Sequence, residues 1–330
     1  MGLERVFENR VMSIEFVFKK TTELSSREQK QIRALFSRVF KVEMSEGVFE
    51  RRFLYSCKGY SYHGLMLHEG DIVGSFTAIP YRYTYFDREL TFALSVDTMI
   101  SPQHRGGKAN LVTMSNLVYE ALVKDDIDFI YGFPNELYYA HEKRILGTRD
   151  IGKLNYYVLP INVGTVMRKL RALDYPSRLF ARIMAELPAS RDARRCGYNI
   201  EKISDEQFIR HRYDESYSFL SLDGGARCAF KPYSEQGGVN TLHLIDVWPM
   251  TPAAMDEAVW KIFQQHRNSA DLILYVGKPP FRPRRLLKVP RWLEPQKIRM
   301  TGKVLRERTF PDSIFNIENW NANVSNFDVR

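Results

Sequence analysis

The sequence has few cysteines and no long apolar run. Its three cysteines, Cys57, Cys196 and Cys228, stand far apart in 330 residues, a pattern typical of reduced thiols and not of a disulfide-stapled fold. No apolar stretch approaches the roughly 20 residues that a membrane-spanning helix requires. The N-terminal segment lacks the apolar core of a secretory signal. We therefore expect a cytoplasmic protein without a membrane partner.

Sequence motifs of several enzyme classes are also absent. Neither the GxxxxGK[ST] loop of P-loop proteins nor the GxGxxG loop of dinucleotide-binding folds occurs, and there is no GxSxG nucleophile elbow. The histidines show no metal-ligand spacing, and no CxxC pair is present. We therefore expect no metal site and no Ser-His-Asp chemistry.

The chain is rich in apolar and basic residues. Hydrophobic residues make up 44% of it and aromatic residues 13%, which favours a folded protein, and its length suits two domains of about 150 residues each. A net charge of +9 attracts nucleic acid, anionic lipid, nucleotides or coenzyme A, unless it is general surface charge. Prolines interrupt the basic run from Lys278 to Lys288, so it is no continuous recognition helix, and we expect no nucleic-acid partner.

Apolar periodicity predicts helices and strands in the first half. Helical spacing predicts helices over 26–40, over 46–54, from residue 108 and over 136–146. Alternating or continuous apolar residues predict strands over 62–67, 72–85, 90–100, 128–132 and 153–161. The first three of these strands are expected to form an antiparallel meander.

The second half repeats the later part of this order. A hairpin over 229–247, a helix over 252–266, a strand over 271–276, a proline-broken helix over 282–293 and a strand over 297–305 are predicted. We interpret this as two related domains, residues 1–161 and 201–330, joined by a helical connector over 162–200. Chance recurrence of an α/β pattern is the alternative.

One segment carries the clearest chemical signal. A strand ends at Ile100, a glycine-bearing basic loop follows, and a helix begins at once; the loop reads Arg105-Gly106-Gly107-Lys108-Ala109-Asn110. Free N–H groups at a helix start form an anion site, glycines permit close approach of phosphate oxygens, and the cations add charge-assisted hydrogen bonds. This pattern favours a pyrophosphate ligand, although an ordinary glycine turn before a helix is the simpler alternative.

The loop and its surroundings resemble the GNAT acyl-CoA N-acyltransferases, whose pyrophosphate loop reads [RQ]-x-x-G-x-[GA]. In this chain the central glycine of that pattern falls on Lys108 and the last small residue on Asn110, whereas in a second register the segment Gln103–Lys108 fits its first half. The resemblance implies an α/β (α+β) fold with two tandem GNAT-like mixed sheets flanked by helices, the second degenerate. It also implies an acyl-CoA co-substrate, acetyl-CoA or longer, bound by the strand residues and the loop, that is, by Thr98, Met99, Ile100, Arg105, Gly106, Gly107, Lys108, Ala109, Asn110 and Asn135.

The segment Tyr131-Gly132-Phe133-Pro134-Asn135 further resembles a two-domain bacterial subset linked to surface polysaccharide synthesis. That resemblance implies a nucleotide-linked amino sugar as the acceptor of the acyl group. The aromatic and basic residues proposed to bind it are Tyr81, Arg82, Tyr217 and Trp248. Core packing is the alternative for these aromatics, and a helix cap after Pro134 is the alternative for Asn135.

Three residues are candidates for proton transfer. Asp97 lies in the strand before the loop between apolar neighbours, which favours a raised pKa and a general base. The family often places a tyrosine acid seven positions after the asparagine, where this chain has Glu142. Tyr138 lies one helical turn earlier and can share a face with Glu142. Packing residues or a solvated strand position are the alternatives, and water can also carry the proton.

We therefore predict an N-acyltransferase that acylates the amine of a nucleotide-linked amino sugar. One rival is a tandem transferase of the Fem type, which moves an amino acid from transfer RNA to a peptidoglycan precursor without a pyrophosphate loop. Another is a non-catalytic basic protein that binds nucleic acid with a steep salt dependence.

Overall fold

The computed structural model describes residues 14–166, 174–190, 192, 197–235, 238–307 and 309–327. The chain is an α/β protein with two mixed sheets flanked by helices. It divides into two compact units. The first unit includes residues 14–80 and 95–127, and the second includes 81–94 and the described residues from 128 onward. Parts of the predicted connector, 167–173, 191 and 193–196, lie outside the described residues.

The regular elements are numbered in chain order. The strands are β1 (Ile14–Lys20), β2 (Tyr62–His68), β3 (Asp71–Tyr85), β4 (Arg88–Ile100), β5 (Phe129–Gly132), β6 (Arg149–Lys153), β7 (Asn155–Pro160), β8 (Ile200–Lys202), β9 (Ser218–Ser221), β10 (Arg227–Ser234), β11 (Asn240–Trp248), β12 (Leu272–Gly277), β13 (Leu287–Lys288), β14 (Arg299–Val304) and β15 (Trp320–Asn321). The helices are α1 (Ser26–Phe40), α2 (Glu46–Leu54), α3 (Lys108–Lys124), α4 (Glu136–Leu146), α5 (Val163–Val166), α6 (Asp174–Ala185), α7 (Glu206–Arg212) and α8 (Pro252–His266).

The first unit is built on β1, β2 and the adjoining parts of β3 and β4. β2 lies between β1 and β3 and is antiparallel to both, so the predicted hairpin around Gly70 is confirmed. Helix α1 begins where predicted because the Ser25 side chain accepts a hydrogen bond from the backbone N–H of Glu28, whose carboxylate binds back to Ser25. Its apolar stripe, including Ile32 and Phe36, is buried.

Helix α3 packs directly on β2, and a glycine makes the contact possible. A Cβ atom added to Gly64 would lie 2.1 Å from the carbonyl oxygen of Met114, far inside van der Waals contact. The helix therefore approaches the strand backbone as closely as only glycine permits. This contact fixes the position of the helix whose N-terminus carries the predicted anion site.

The second unit contains a complete second sheet. Its strand order is β13-β7-β12-β11-β10-β9, with β11 and β12 parallel and the other pairs antiparallel. Helix α8 buries one whole face, including Val259 and Ile262, in the same apolar core as Leu244 and Ile273 of the sheet. Its bounds agree with the prediction because Thr251 caps its start and Pro252 occupies the first turn.

Two strands of the second unit each pair with strands that the sequence assigned to the other predicted domain. β7, the last strand of the predicted first domain, pairs with β12 of the second sheet. β14, from the predicted second domain, lies between β5 and β6 and is antiparallel to both. The domain boundaries at residues 161 and 200 stay a prediction.

One predicted element is wrong, and one strand was not predicted. The strand expected over 153–161 is observed as β7, Asn155–Pro160, whereas β6, Arg149–Lys153, precedes it without a counterpart in the prediction. The helix expected over 282–293 does not form; this segment contains only the two-residue strand β13. Pro283 and Pro290 lack an N–H and restrict the residue before them, which prevents a continuous helix.

Among the described residues, no helix combines the length and the apolar character that a membrane crossing requires.

Candidate active site

Strand β4 leaves regular geometry at Asp97. This residue has φ +48°, a left-handed conformation that a non-glycine residue rarely adopts, in the middle of a strand. Such a conformation costs on the order of 1–2 kcal/mol and persists only where the surrounding structure fixes it. Backbone strain of this kind concentrates at functional sites, which directs attention to Val96–Ile100.

An arginine that the sequence analysis missed fixes Asp97. The Arg52 Nη2 atom lies 3.0 Å from each carboxylate oxygen of Asp97, and both side chains are largely buried. The guanidinium also lies over the Phe53 ring, 5.6 Å from its centroid. Because the ion pair engages both oxygens, Asp97 has a structural role in addition to its predicted role as a base, which stays a prediction.

The predicted pyrophosphate loop leads directly into an uncapped helix. Gly106 has φ +129°, a conformation that glycine alone adopts without strain, and Gly107 occupies the N-cap position of α3. Gly107 has no side chain that could accept a hydrogen bond from the first turn. The N–H groups at the start of α3 therefore face an exposed surface that carries the side chain of Lys108, a favourable place for an anion.

Arg105 and Asn110 shape this loop from its two ends. The Arg105 Nε atom donates to the carbonyl oxygen of Ile100 at 3.0 Å, which ties the loop to the end of β4. The Asn110 side-chain amide lies so close to Gly107 that an added Cβ would meet it at 3.3 Å. The first unit therefore contains the whole predicted coenzyme A segment of strand and loop, that is, Thr98, Met99, Ile100 and the loop residues through Ala109 and Asn110.

A polar cluster holds the opposite end of α3. Asp125, which caps the helix, accepts hydrogen bonds from the hydroxyls of Tyr62 at 2.6 Å and Tyr60 at 2.8 Å and from the Lys20 ammonium at 3.0 Å. Burial acts to raise the pKa of this carboxyl, but the three hydrogen bonds outweigh it and lower the pKa to about 2. The helix is therefore anchored at its C-terminus and open at its N-terminus.

Helix α4 of the second unit carries the predicted proton-transfer residues. The Asn135 side chain caps this helix by accepting a hydrogen bond from the N–H of Tyr138 at 2.8 Å, so the helix-cap interpretation is confirmed. Gly147 ends the helix with φ +67° as predicted. Contact of Asn135 with coenzyme A stays a prediction.

Glu142 is a buried acid. Its side chain is enclosed, with 4% of the residue exposed, and one carboxylate oxygen accepts a hydrogen bond from the Thr301 hydroxyl at 2.9 Å. Burial raises the pKa of Glu142 to about 7, and the hydrogen bond from Thr301 only partly opposes this rise. Glu142 can therefore donate or accept a proton near neutral pH. Tyr138, one turn earlier, is half-buried.

The residues predicted to bind substrate all lie in the second unit. Tyr81 is buried, and its hydroxyl lies 2.9 Å from the Nε2 atom of His211. Arg82 forms ion pairs with Glu89 and Asp205. These contacts occupy both side chains and give them structural roles that sequence spacing does not reveal.

Tyr217 and Trp248 lie in the same unit. The Lys231 ammonium lies 4.8 Å from the centroid of the Tyr217 ring, a cation–π contact. Trp248 is half-buried and its ring packs edge-on against the exposed ring of Phe219. Arg227 lies directly opposite Trp248 in the register of β10 and β11. Tyr217 is buried, as the core-packing alternative expects, so the ring faces next to cations are those of Trp248 and Phe219.

The structure assigns the predicted residues to two places. Asp97, Thr98–Ile100 and Arg105–Asn110 lie in the first unit, and Asn135, Tyr138, Glu142 and the predicted substrate residues lie in the second. Within the described ranges, no three histidine, cysteine or acidic side chains converge as metal ligands do.

Comparison with known proteins identifies the fold. No protein-family model and no curated protein matches the sequence. Solved structures do match. A GCN5-related N-acetyltransferase from Anabaena variabilis superposes with a TM-score of 0.56 at 14% identity, over 88% of this chain and 73% of that one. One from Kribbella flavida gives 0.57 at 12% identity, over 89% and 71%. A conserved protein of unknown function from Enterococcus faecalis gives 0.58 at 12%, over 89% and 73%. The chain thus has the fold of GCN5-related N-acetyltransferases, as predicted.

Proposed function

We propose that this protein is an acyl-CoA-dependent N-acyltransferase whose acceptor is the primary amine of a nucleotide-linked amino sugar. One observation carries the enzymatic assignment. A strained strand, β4, leads through Gly106 and Gly107 into the uncapped N-terminus of α3, in a chain that has the fold of GCN5-related N-acetyltransferases.

The start of α3 would hold the diphosphate of coenzyme A. The N-cap residue Gly107 offers the first N–H groups no side-chain acceptor, and the helix dipole favours negative charge at this end. Lys108 would add a charge-assisted hydrogen bond, worth about 1.5–3 kcal/mol when well placed. Asn110 and the backbone of Gly106 and Gly107 would complete the arc around the two phosphates.

The pantetheine arm would lie along β4. Its amide groups can pair with the backbone of Val96–Ile100 as an added strand pairs with a sheet edge. The left-handed conformation of Asp97 interrupts the regular strand there, and the Arg52 ion pair holds that interruption in place. Arg52 would thus position the strand for the acyl-CoA without contacting it.

Amide formation requires a neutral amine and a protonated leaving group. The amine nitrogen attacks the thioester carbonyl carbon, the carbon–sulfur bond breaks, and the thiolate takes up a proton while the new amide nitrogen loses one. Glu142, with its pKa raised to about 7 by burial, suits one of these transfers. Tyr138 on the same helix is the second candidate, and positioning of the reactants supplies about 7–11 kcal/mol of the barrier reduction.

The acceptor assignment is supported by the surface around Trp248. The half-buried Trp248 and the exposed Phe219 offer faces on which a nucleobase can stack. Arg227 and Lys231, both on β10, lie within the same sheet and can neutralise a diphosphate. A nucleotide-linked sugar carries both chemistries, whereas a free amino sugar carries neither.

Thermal unfolding with acetyl-CoA tests the cofactor assignment. At a hundredfold excess over its dissociation constant, a bound ligand stabilises the folded protein by about 2.7 kcal/mol, which raises the melting temperature measurably. Lys108→Glu is expected to weaken binding by ~10- to 100-fold, because it replaces a cation at the helix start with an anion. Lys124→Glu changes the same charge at the other end of α3 and is the matched control.

Two results would count against the cofactor assignment. The first is a melting temperature that no acyl-CoA shifts. The second is an equal loss of affinity in Lys108→Glu and Lys124→Glu, which would indicate a general effect of net charge.

A panel of amines tests the acceptor separately. Release of the free thiol of coenzyme A is measured with nucleotide-linked amino sugars, free amino sugars and polyamines. We expect turnover with the first class, and we expect Trp248→Ala to raise its KM while leaving the acetyl-CoA affinity unchanged. Turnover with free amino sugars alone would refute the proposed acceptor and leave the cofactor assignment intact.

A further inference from the structure

Helix α6 has an apolar face that the described residues of the second unit leave exposed. Its inner face, formed by Ser177, Ala181 and Ala185, is buried. On the outer face, Tyr175, Leu179 and Ile183 follow one another at intervals of one helical turn and are 80%, 52% and 56% exposed. Side chains four residues apart lie above one another on a helix, so these three form one continuous apolar stripe.

A second group of exposed apolar side chains lies at and just beyond β13. Trp292 is 81% exposed, Leu293 is 49% exposed and Leu287 is 39% exposed. Helix α6 packs on β7, and β13 pairs with the same strand. The two groups therefore adjoin one strand of the second sheet, and we call them together the α6–β13 surface.

Exposed cations accompany both groups. Arg178 and Arg182 lie on α6 between the stripe residues, and Lys288 and Arg291 lie beside Leu287 and Trp292. Arg182 is paired with Glu186. The α6–β13 surface thus combines large apolar side chains, an exposed tryptophan and a small excess of positive charge, four cations against the acids Asp174, Glu186 and Glu294.

We propose that the α6–β13 surface binds the headgroup region of an anionic lipid membrane. Amphipathic helices with cationic and aromatic residues lie in the plane of such an interface, with their apolar side chains at the boundary of the acyl chains. Tryptophan concentrates at this depth, and each cation near a negative membrane surface strengthens binding. This inference opposes the expectation that the protein has no membrane partner.

Charge argues against a second copy of the chain as the occupant. In a two-fold symmetric dimer the same patch lies on both sides of the interface, so the cations of α6 and β13 from both copies would be brought into one contact. Like charges held together in this way destabilise the contact. An anionic lipid surface neutralises them instead.

Sedimentation of the full-length protein with vesicles tests the proposal. We expect binding to vesicles that contain phosphatidylglycerol, little binding to vesicles of phosphatidylcholine alone, and a loss of binding as salt is raised. The emission of Trp292 should shift to shorter wavelength on binding, and the shift should disappear in Trp292→Phe. Binding that is equal for both lipids, or absent for both, overturns the proposal.

Two variants separate the apolar and the cationic contributions. The double variant Leu179→Ser with Ile183→Ser should lower the partition coefficient by ~30-fold, because half of each side chain is exposed for burial in lipid. Lys288→Gln with Arg291→Gln should lower it by ~30-fold on anionic vesicles. Val42→Ser, which changes a side chain 48% exposed in the first unit, should bind as the unmodified protein does.

The oligomeric state supplies the remaining outcome. If light scattering shows a dimer that Leu179→Ser with Ile183→Ser converts to a monomer, the stripe is covered by a second copy and the proposal is wrong. If Leu179→Ser with Ile183→Ser partitions into anionic vesicles like the unmodified protein, the proposal is equally wrong.

Discussion

The buried acid Glu142 should make the stability of this protein fall as the pH rises. Its pKa is about 7 in the folded chain, against a usual 4.5. Between these values the folded protein retains a proton that the unfolded chain has already lost, so the free energy of unfolding decreases with increasing pH. Each pH unit of this window corresponds to about 1.36 kcal/mol, and the total loss is on the order of 3 kcal/mol.

The substitution Glu142→Gln removes this dependence. Glutamine has nearly the same shape, accepts the hydrogen bond from Thr301 and carries no ionisable group. The variant should match the unmodified protein below pH 4.5 and exceed it by up to about 3 kcal/mol above pH 7. Urea unfolding measured at several pH values across this window gives both free energies.

Glu307→Gln is the matched control, since it removes the same charge from an exposed position of the second unit. It should leave the pH dependence unchanged. If the unmodified protein and Glu142→Gln lose stability in parallel as the pH rises, the carboxyl is not buried as described, and the argument from desolvation fails. Turnover of Glu142→Gln should fall independently if Glu142 also transfers a proton.

Two further perturbations concern the packing of α3. Gly64→Ala places a Cβ against the carbonyl oxygen of Met114 and should destabilise the protein by about 3 kcal/mol or more in urea unfolding. Gly47 has open space around it, so Gly47→Ala should leave the free energy of unfolding unchanged or slightly higher. Equal effects of the two substitutions would contradict the packing argument. Asp125→Asn should flatten the loss of stability on acidification, because a carboxyl whose pKa is lowered to about 2 stabilises the fold above its usual 3.8 and loses that contribution as the pH falls toward 2. An acid titration with the same slope in both proteins would contradict it.

The parts of the fold with local causes could be predicted from the sequence. The start of α1 follows from Ser25 and Glu28 three residues later, and the end of α4 follows from Gly147. Each signal involves neighbours along the chain, so no knowledge of the tertiary structure is needed. The loop from Arg105 into α3 could be found for the same reason, because a glycine turn and a helix start are both local.

The features that depend on distant residues could not be predicted. The ion pair of Arg52 with Asp97 joins positions 45 residues apart, and the Thr301 contact that orients Glu142 joins positions 159 apart. A single sequence contains no signal for either pairing. The pairing of β7 with β12, and of β14 with β5 and β6, could not be predicted for the same reason. Alternation of apolar residues shows that a strand exists, but it does not show which strand lies beside it.

The crossed pairing of β7 and β14 restricts how such a chain can be cut or recombined. Severing it at residue 161 would give an N-terminal fragment that keeps β7 without the neighbour it needs at β12, and that exposes the edges of β5 and β6 where β14 belongs. Exposed strand edges invite aggregation. We expect neither fragment to fold alone, and co-expression of the two to restore a stable complex. Gene fusions, circular permutations and deletions that keep this protein folded should therefore keep residues 1–161 and the residues after 161 together.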